Sequence, residues 1–289
     1  METMRDIRNR MKSVRQTLQV TGAMKLISTS KLRKARRQLD ETLPYFDAIR
    51  DAMRDIILHA EGHGESWFDQ RAGKSPRRVA TLVVTADKGL AGGYNSSVIR
   101  YVESSCPPRS ILMPVGSVGK RYFMEKDYVL LEDFAASTKV PTVYEAKEIA
   151  SFATEQFSAG RIDEFRVVFT RMHSTVKLEP EMMVLLPLDA GRIASGGRRR
   201  GDGPSYSYEP SEDAVFDVLV PQYLKGVIYG ALVQAFASEQ AARMAAMDTA
   251  TKNAEDMLAR LGLVYNRARQ AAITGEVSEI VAGAAALGD

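Results

Sequence analysis

Residues 4–40 read MRDIRNRMKSVRQTLQVTGAMKLISTSKLRKARRQLD. Met4, Ile7, Met11, Val14, Leu18 and Thr21 recur at alternating steps of three and four, the spacing of a heptad seam along one helix face. Met24, Ser28, Leu32, Ala35 and Leu39 continue it with one additional step of four, which locally unwinds a supercoil. Only Gly22 interrupts before Pro44, and Phe46, Ile49, Met53, Ile56 and Ile57 resume the period beyond it. The pattern predicts one helix over about residues 3–58, bent near Pro44 if anywhere, and roughly 80 Å long at ~1.5 Å per residue.

The other end of the chain has the same texture. From Ser211 to about Leu287 the helical period returns, with Pro221 at a start or kink. Ile228, Ala231, Ala235, Ser238, Ala242 and Ala245 form a seam of small residues, along which a second helix could approach closely. Neither terminal helix can bury its seam alone. The economical solution is a two-stranded antiparallel coiled coil formed by residues 1–60 and 211–289; the alternative is two helices folded back on a compact globule.

Between them, residues 77–190 alternate strand and helix. Val79–Thr85 (VATLVVT), Ile111–Val115, Phe165–Thr170 and Met182–Leu188 read as strands; 95–104, 117–126 and 143–157 read as helices. This predicts a small, Rossmann-like, largely parallel α/β domain inserted between the long helices. Residues 62–76 read as a linker and 190–210 as a loop, both rich in Gly and polar residues.

Composition excludes several classes. One cysteine, Cys106, forms no internal disulfide, and His59, His63 and His173 lack a third ligand partner, so neither a metal nor a cofactor is expected. The charged N-terminus has no apolar core of a signal peptide, and no window approaches the ~18 apolar residues of a membrane span. Residues 1–40 carry eleven Lys/Arg against three Asp/Glu, in a chain whose net charge is only +3. That basic helix is either solvated charge or a surface for an acidic protein; nucleic acid is disfavoured because residues 1–40 contain no aromatic for base stacking. GLAGGYN, after a strand and before a helix, is not G-x-G-x-x-G, and Gly116, Gly119 and Lys120 are too closely spaced for a P-loop. Tight turns are the plainer reading of these glycines than a nucleotide site.

The C-terminal run SEQAARMAAMDTATKNAEDMLARLGLVYNRARQAAITGEVSEIVAGAAAL closely resembles the C-terminal helix of ATP synthase γ subunits, ITGEVSEIVAGAAAL above all. IRNRMKSVRQTLQVTGAMKLISTSKLRKAR resembles that family's N-terminal helix. TADKGLAGGYNSSV resembles its Gly-rich turn, with Ala91 in place of the usual cysteine, and YSYEPS resembles the segment that re-enters the shaft. The long cysteine-bearing insertion of chloroplast relatives is absent. The resemblance implies a non-catalytic rotor shaft, one copy per complex. It would stand in a hexameric ring of α and β subunits, with its foot on a membrane c ring beside the ε subunit. It further implies contacts to β subunits at Arg269, Gln270, Thr274 and Glu276, at Arg243, and at Arg8 and Lys25 on the basic helix. Tyr208 and Glu209 would lie at the c-ring and ε foot. Ile280, Val281, Ala284 and Leu287 would form an apolar bearing tip. A bacterial protein on the cytoplasmic face of the cell membrane is expected, meeting the membrane only through the c ring. The rival readings are a coiled-coil scaffold or nucleic-acid-binding protein using the basic helix, and an enzyme with a nucleotide site in the α/β domain.

Overall fold

The computed structural model describes residues 3–59, 65–71, 77–131, 140–195 and 209–286. The chain divides into two compact units, Met1–Ser28 with Arg243–Asp289, and Thr29–Ala242. Helices α1 (Met4–His59) and α7 (Glu212–Ala286) contribute residues to both, and each continues through its proline, Pro44 or Pro221.

In the first unit the two helices pack antiparallel. Arg8 meets Tyr265, Thr21 meets Thr251 and Lys25 meets Asp248, so positions rise along α1 as they fall along α7. On α1 every expected seam position from Met4 to Ser28 is buried or half-buried, while Arg5, Arg8, Arg10, Lys12 and Arg15 are exposed. On α7 the stripe of covered positions runs through Met247, Thr251, Ala254, Leu258, Leu261, Tyr265, Ala268 and Ala272. Ala245, expected in the seam, faces solvent. Alanine recurs here on every face of the helix, so its spacing alone does not mark the covered one.

The second unit holds a five-stranded sheet of order β3-β2-β1-β4-β5. The strands are β1 (Val79–Val84), β2 (Ile111–Val115), β3 (Val129–Leu130), β4 (Glu164–Met172) and β5 (Leu178–Leu186). β1 pairs parallel with β2 and β4, and β2 parallel with β3; β5 closes the edge antiparallel to β4. Successive side chains take opposite faces. Val83, Leu112 and Val168 therefore join α3 (Tyr94–Ser105) and α4 (Ser117–Met124) in one core through Val98, Val102 and Phe123. Leu82, Val84, Met113, Val115, Val167 and Phe169 point the other way. They pack with Ile149, Ala153 and Phe157 of α5 (Val143–Ser158), Met53 and Ile56 of α1, and Phe216, Leu224 and Leu232 of α7.

Within this unit α7 is enclosed. Residues 231–241 are buried at every position except half-buried Gln234. Leu32 of α1 packs on Ala237 and Ala241, with Met172 and Leu178 of the β4–β5 hairpin against the same cluster. Small side chains let α7 fit between the two. Lower on the helix, a Cβ at Gly226 would lie 2.3 Å from the Phe46 ring, so glycine makes the space that ring fills.

Several stretches differ from expectation, among them the short edge strand β3, which no sequence pattern announced. Short helices α2 (Glu65–Phe68) and α6 (Ala190–Ser195) lie in the expected linker and loop. Trp67 anchors the first: its indole N–H donates to Asp217 Oδ1 at 2.7 Å and its ring stacks on Phe157. Arg71 then donates to the carbonyls of Ile162 and Phe157. Polar composition concealed these long-range contacts. β5 also begins four residues earlier than expected, at Leu178, because the turn at His173–Lys177 closes a hairpin.

Candidate partner-binding surface

On α7, Arg269, Gln270, Thr274 and Glu276 are all exposed. Helical spacing puts Arg269, Ile273, Glu276 and Ile280 in one stripe, and Gln270, Thr274, Val277 and Val281 in the stripe beside it. The surface is thus half polar and half apolar: Ile273, Val277, Ile280 and Val281 are all more than half exposed. A lone helix in water gains nothing from such a face, and exposed apolar patches of this kind mark contact surfaces.

Arg8 and Lys25 are engaged within the helical pair. Arg8 Nη2 donates to the Tyr265 hydroxyl at 2.7 Å, and this bond raises the guanidinium pKa further. Lys25 Nζ donates to Asp248 Oδ1 at 2.5 Å, while Lys252 reaches Asp248 Oδ2 at 2.9 Å. Hydrogen bonds from Lys25 and then Lys252 hold the Asp248 carboxyl down at about 2. Arg243 is covered, only 8% exposed. The Lys25–Asp248 pair was not foreseen, although Asp248 and Lys252 stand four apart beside the seam residue Thr251.

The glycine turns of the α/β domain resolve differently from a phosphate site. In doubly wound sheets ligands enter at the carboxyl ends of the strands, near helix N-termini. Here the Asp87 carboxylate accepts from the Ser117 backbone N–H at 2.9 Å and its hydroxyl at 3.0 Å, placing the protein's own anion at the start of α4. Asn95 Oδ1 accepts from Ala86 N, and Thr85 Oγ1 accepts from Gly119 N. Cβ atoms at Gly116 and Gly119 would come within 2.3 and 2.6 Å of Thr85 atoms, so these glycines serve close packing. Helix α7 covers the strand ends: Ala242 packs on Ala86, Ala91 and Tyr94, Ser238 Oγ donates to Thr170 O at 2.9 Å, and Gln234 Oε1 accepts from Met172 N. The crevice is filled by the chain's own helix. Among the described residues no cluster of His, Cys, Asp or Glu could hold a metal, and no helix is long and apolar enough to cross a membrane.

Comparison with known proteins agrees with this architecture. A family model described as ATP synthase matches residues 3–287. The ATP synthase gamma chain of Ruminiclostridium cellulolyticum is 44% identical over 289 residues, covering 98% of each chain. That of Acetivibrio thermocellus is 42% identical over 290 residues, again covering 98% of each. This chain belongs to the ATP synthase γ family.

In fold, the chain is similar to one in the Euglena gracilis mitochondrial ATP synthase, in a structure comprising OSCP, F1 and c-ring. The TM-score is 0.64 at 17% identity, over 98% of this chain and 94% of that one. Of the residues that the family resemblance marks, Glu209 is exposed just ahead of α7. Tyr208 and Leu287 lie outside the described residues, as does the side chain of Ala284.

Proposed function

We propose that this chain is the central rotating shaft of an F-type ATP synthase. It couples ion flow through a membrane c ring to ATP synthesis or hydrolysis at the β subunits of a surrounding α/β hexamer, one copy per complex. It would sit at the cytoplasmic face of a bacterial cell membrane, reaching the membrane only through the c ring and the neighbouring ε subunit, without binding nucleic acid. Residues 1–60 and 211–289 are the shaft in this reading, and 77–190 the α/β domain beside its foot. Catalysis belongs to the β subunits. The shaft acts as a rotating ligand whose faces must interact unequally with the β conformations, since a ligand that contacts every state equally shifts none of them.

The observation that carries this reading is the α7 surface of Arg269, Gln270, Thr274 and Glu276 interleaved with exposed Ile273, Val277, Ile280 and Val281, in a member of the γ family. The polar positions of both stripes and the exposed Arg8 would meet β-subunit loops. The apolar positions, continuing through Ala284 and Leu287, would run in an apolar collar of the hexamer, and Tyr208 with Glu209 would contact the c ring and ε. Lys25, whose side chain stays 43% exposed beside Asp248, and the covered Arg243 would add to the same β contact.

The test uses membranes carrying the assembled complex. Ala284→Asp should cut complex yield and ATP synthesis several-fold, because a carboxylate in an apolar collar loses its hydration; Ala284→Val should cost little. Wild-type yield and synthesis with Ala284→Asp would overturn the bearing assignment.

A further inference from the structure

The seam of the helical pair is thin on α7: only Met247, Ala254 and Leu261 among its eight stripe positions are buried, none of them completely, and three of the eight are alanine. Small apolar side chains resist axial sliding weakly, because one alanine fits a hole about as well as another. Besides the exposed Arg8–Tyr265 contact, polar cross-contacts gather within about one turn of each helix. Thr251 Oγ1 donates to Thr21 Oγ1 at 2.9 Å across the seam, and one turn along, Lys25 and Lys252 share Asp248.

These contacts discriminate register together. A shift of one heptad would set Thr21 opposite Met244 or Leu258, neither of which offers a hydroxyl. A polar pair at a seam position specifies register for this reason. The ion pair alone is less selective, since the same shift in one direction would bring Glu255 toward Lys25. Torque applied to a two-stranded rope shears one strand along the other. We propose that Thr21, Lys25, Asp248, Thr251 and Lys252 form a cross-tie that prevents this shear, and are positioning residues for energy coupling. The inference rests on the rotor reading and adds a role for these residues that lies between the two helices.

The experiment measures ion pumping per ATP hydrolysed in membrane vesicles carrying the assembled complex. Lys25→Asp and Asp248→Lys should each lower that ratio about three-fold or more, and the double swap should recover most of it, as expected for residues in direct contact. Unchanged single variants would overturn the cross-tie. So would a double swap no better than the worse single, which would indicate that Lys25 acts on a partner carboxylate instead. A Thr21→Cys/Thr251→Cys pair provides a second arm that does not depend on charge. Oxidised in the assembled complex, it should leave coupling intact, because it fixes a contact that does not open; loss of coupling on oxidation would overturn the proposal. A complex that pumps equally well without this chain would refute the rotor reading itself, whatever the swaps show.

Discussion

Helix α7 is one unbroken helix in two environments. From Phe216 to Gly230 one face of it packs into a core, and from Ala231 to Ala241 it is enclosed by α1, the sheet and the β4–β5 hairpin, with even Ser238, Glu239 and Gln240 buried. From Met247 to Ala272 a single stripe is covered by α1, and from Ile273 to Ala282 every residue is exposed. Alanine is abundant on both sides of the division, so the same residue is a spacer in one region and a solvated helix former in the other. Helix formation demands little of the sequence here. What each face does depends on what lies against it.

The sharpest way to break this comparison is to enlarge an alanine in each region. Ala235→Leu adds volume to a filled core and should destabilise the chain by about 1–3 kcal/mol, whereas Ala259→Leu, on an exposed face, should stay within about 0.5 kcal/mol. Thermal unfolding of the two variants checks this; equal shifts would mean that the two regions do not differ in packing.

A smaller effect is expected at Ser238, whose hydroxyl donates to the Thr170 carbonyl inside the unit. Ser238→Ala leaves that acceptor unsatisfied and should cost about 1–2 kcal/mol, read from the shift of the denaturation midpoint at unchanged slope. No shift would show that the bond does not hold α7 on the strand ends.

The mildest probe is pH, acting on the helical pair through Asp248. Its carboxyl titrates at about 2 in the fold against the usual 3.8, because Lys25 and then Lys252 hydrogen-bond the charged form. A depressed carboxyl contributes stability above its unfolded value and loses it as pH falls through the folded one. Wild type should therefore exceed Asp248→Asn in stability at neutral pH, with the difference shrinking between pH 3.8 and about 2 and vanishing below. Both side chains are partly exposed, so added salt should weaken the effect. Acid titrations followed by circular dichroism, with and without salt, would reveal it; parallel curves for the two proteins would rule it out.

Period alone predicted α1 well. Its seam from Met4 to Leu39 carries bulky and small residues at fixed steps, and every one of those positions is covered. The core strands were equally plain, since Val79–Val84 is apolar on both faces, as a central parallel strand must be. On α7 the phase was lost where Ala245 seemed as good a seam residue as Met247, because an alanine pattern carries almost no directional information. Docking of Trp67 on Asp217 and Phe157 left no local signal either, as its partners lie 150 and 90 positions away. The residues proposed to face partners were legible only as an expectation from resemblance. Their exposure, and the commitment of Lys25 to Asp248, were not.

By itself, then, the sequence determined the long helices, the inserted α/β domain and the family, because periodicity and end motifs are local and repeat over many residues. Only the tertiary structure decided that Asp87 stands at the start of α4, that α7 fills the crevice at the strand ends, and that Lys25 ties the two helices together. Each of those depends on a few contacts brought together by the fold, and contacts between residues far apart in the chain have no period to read.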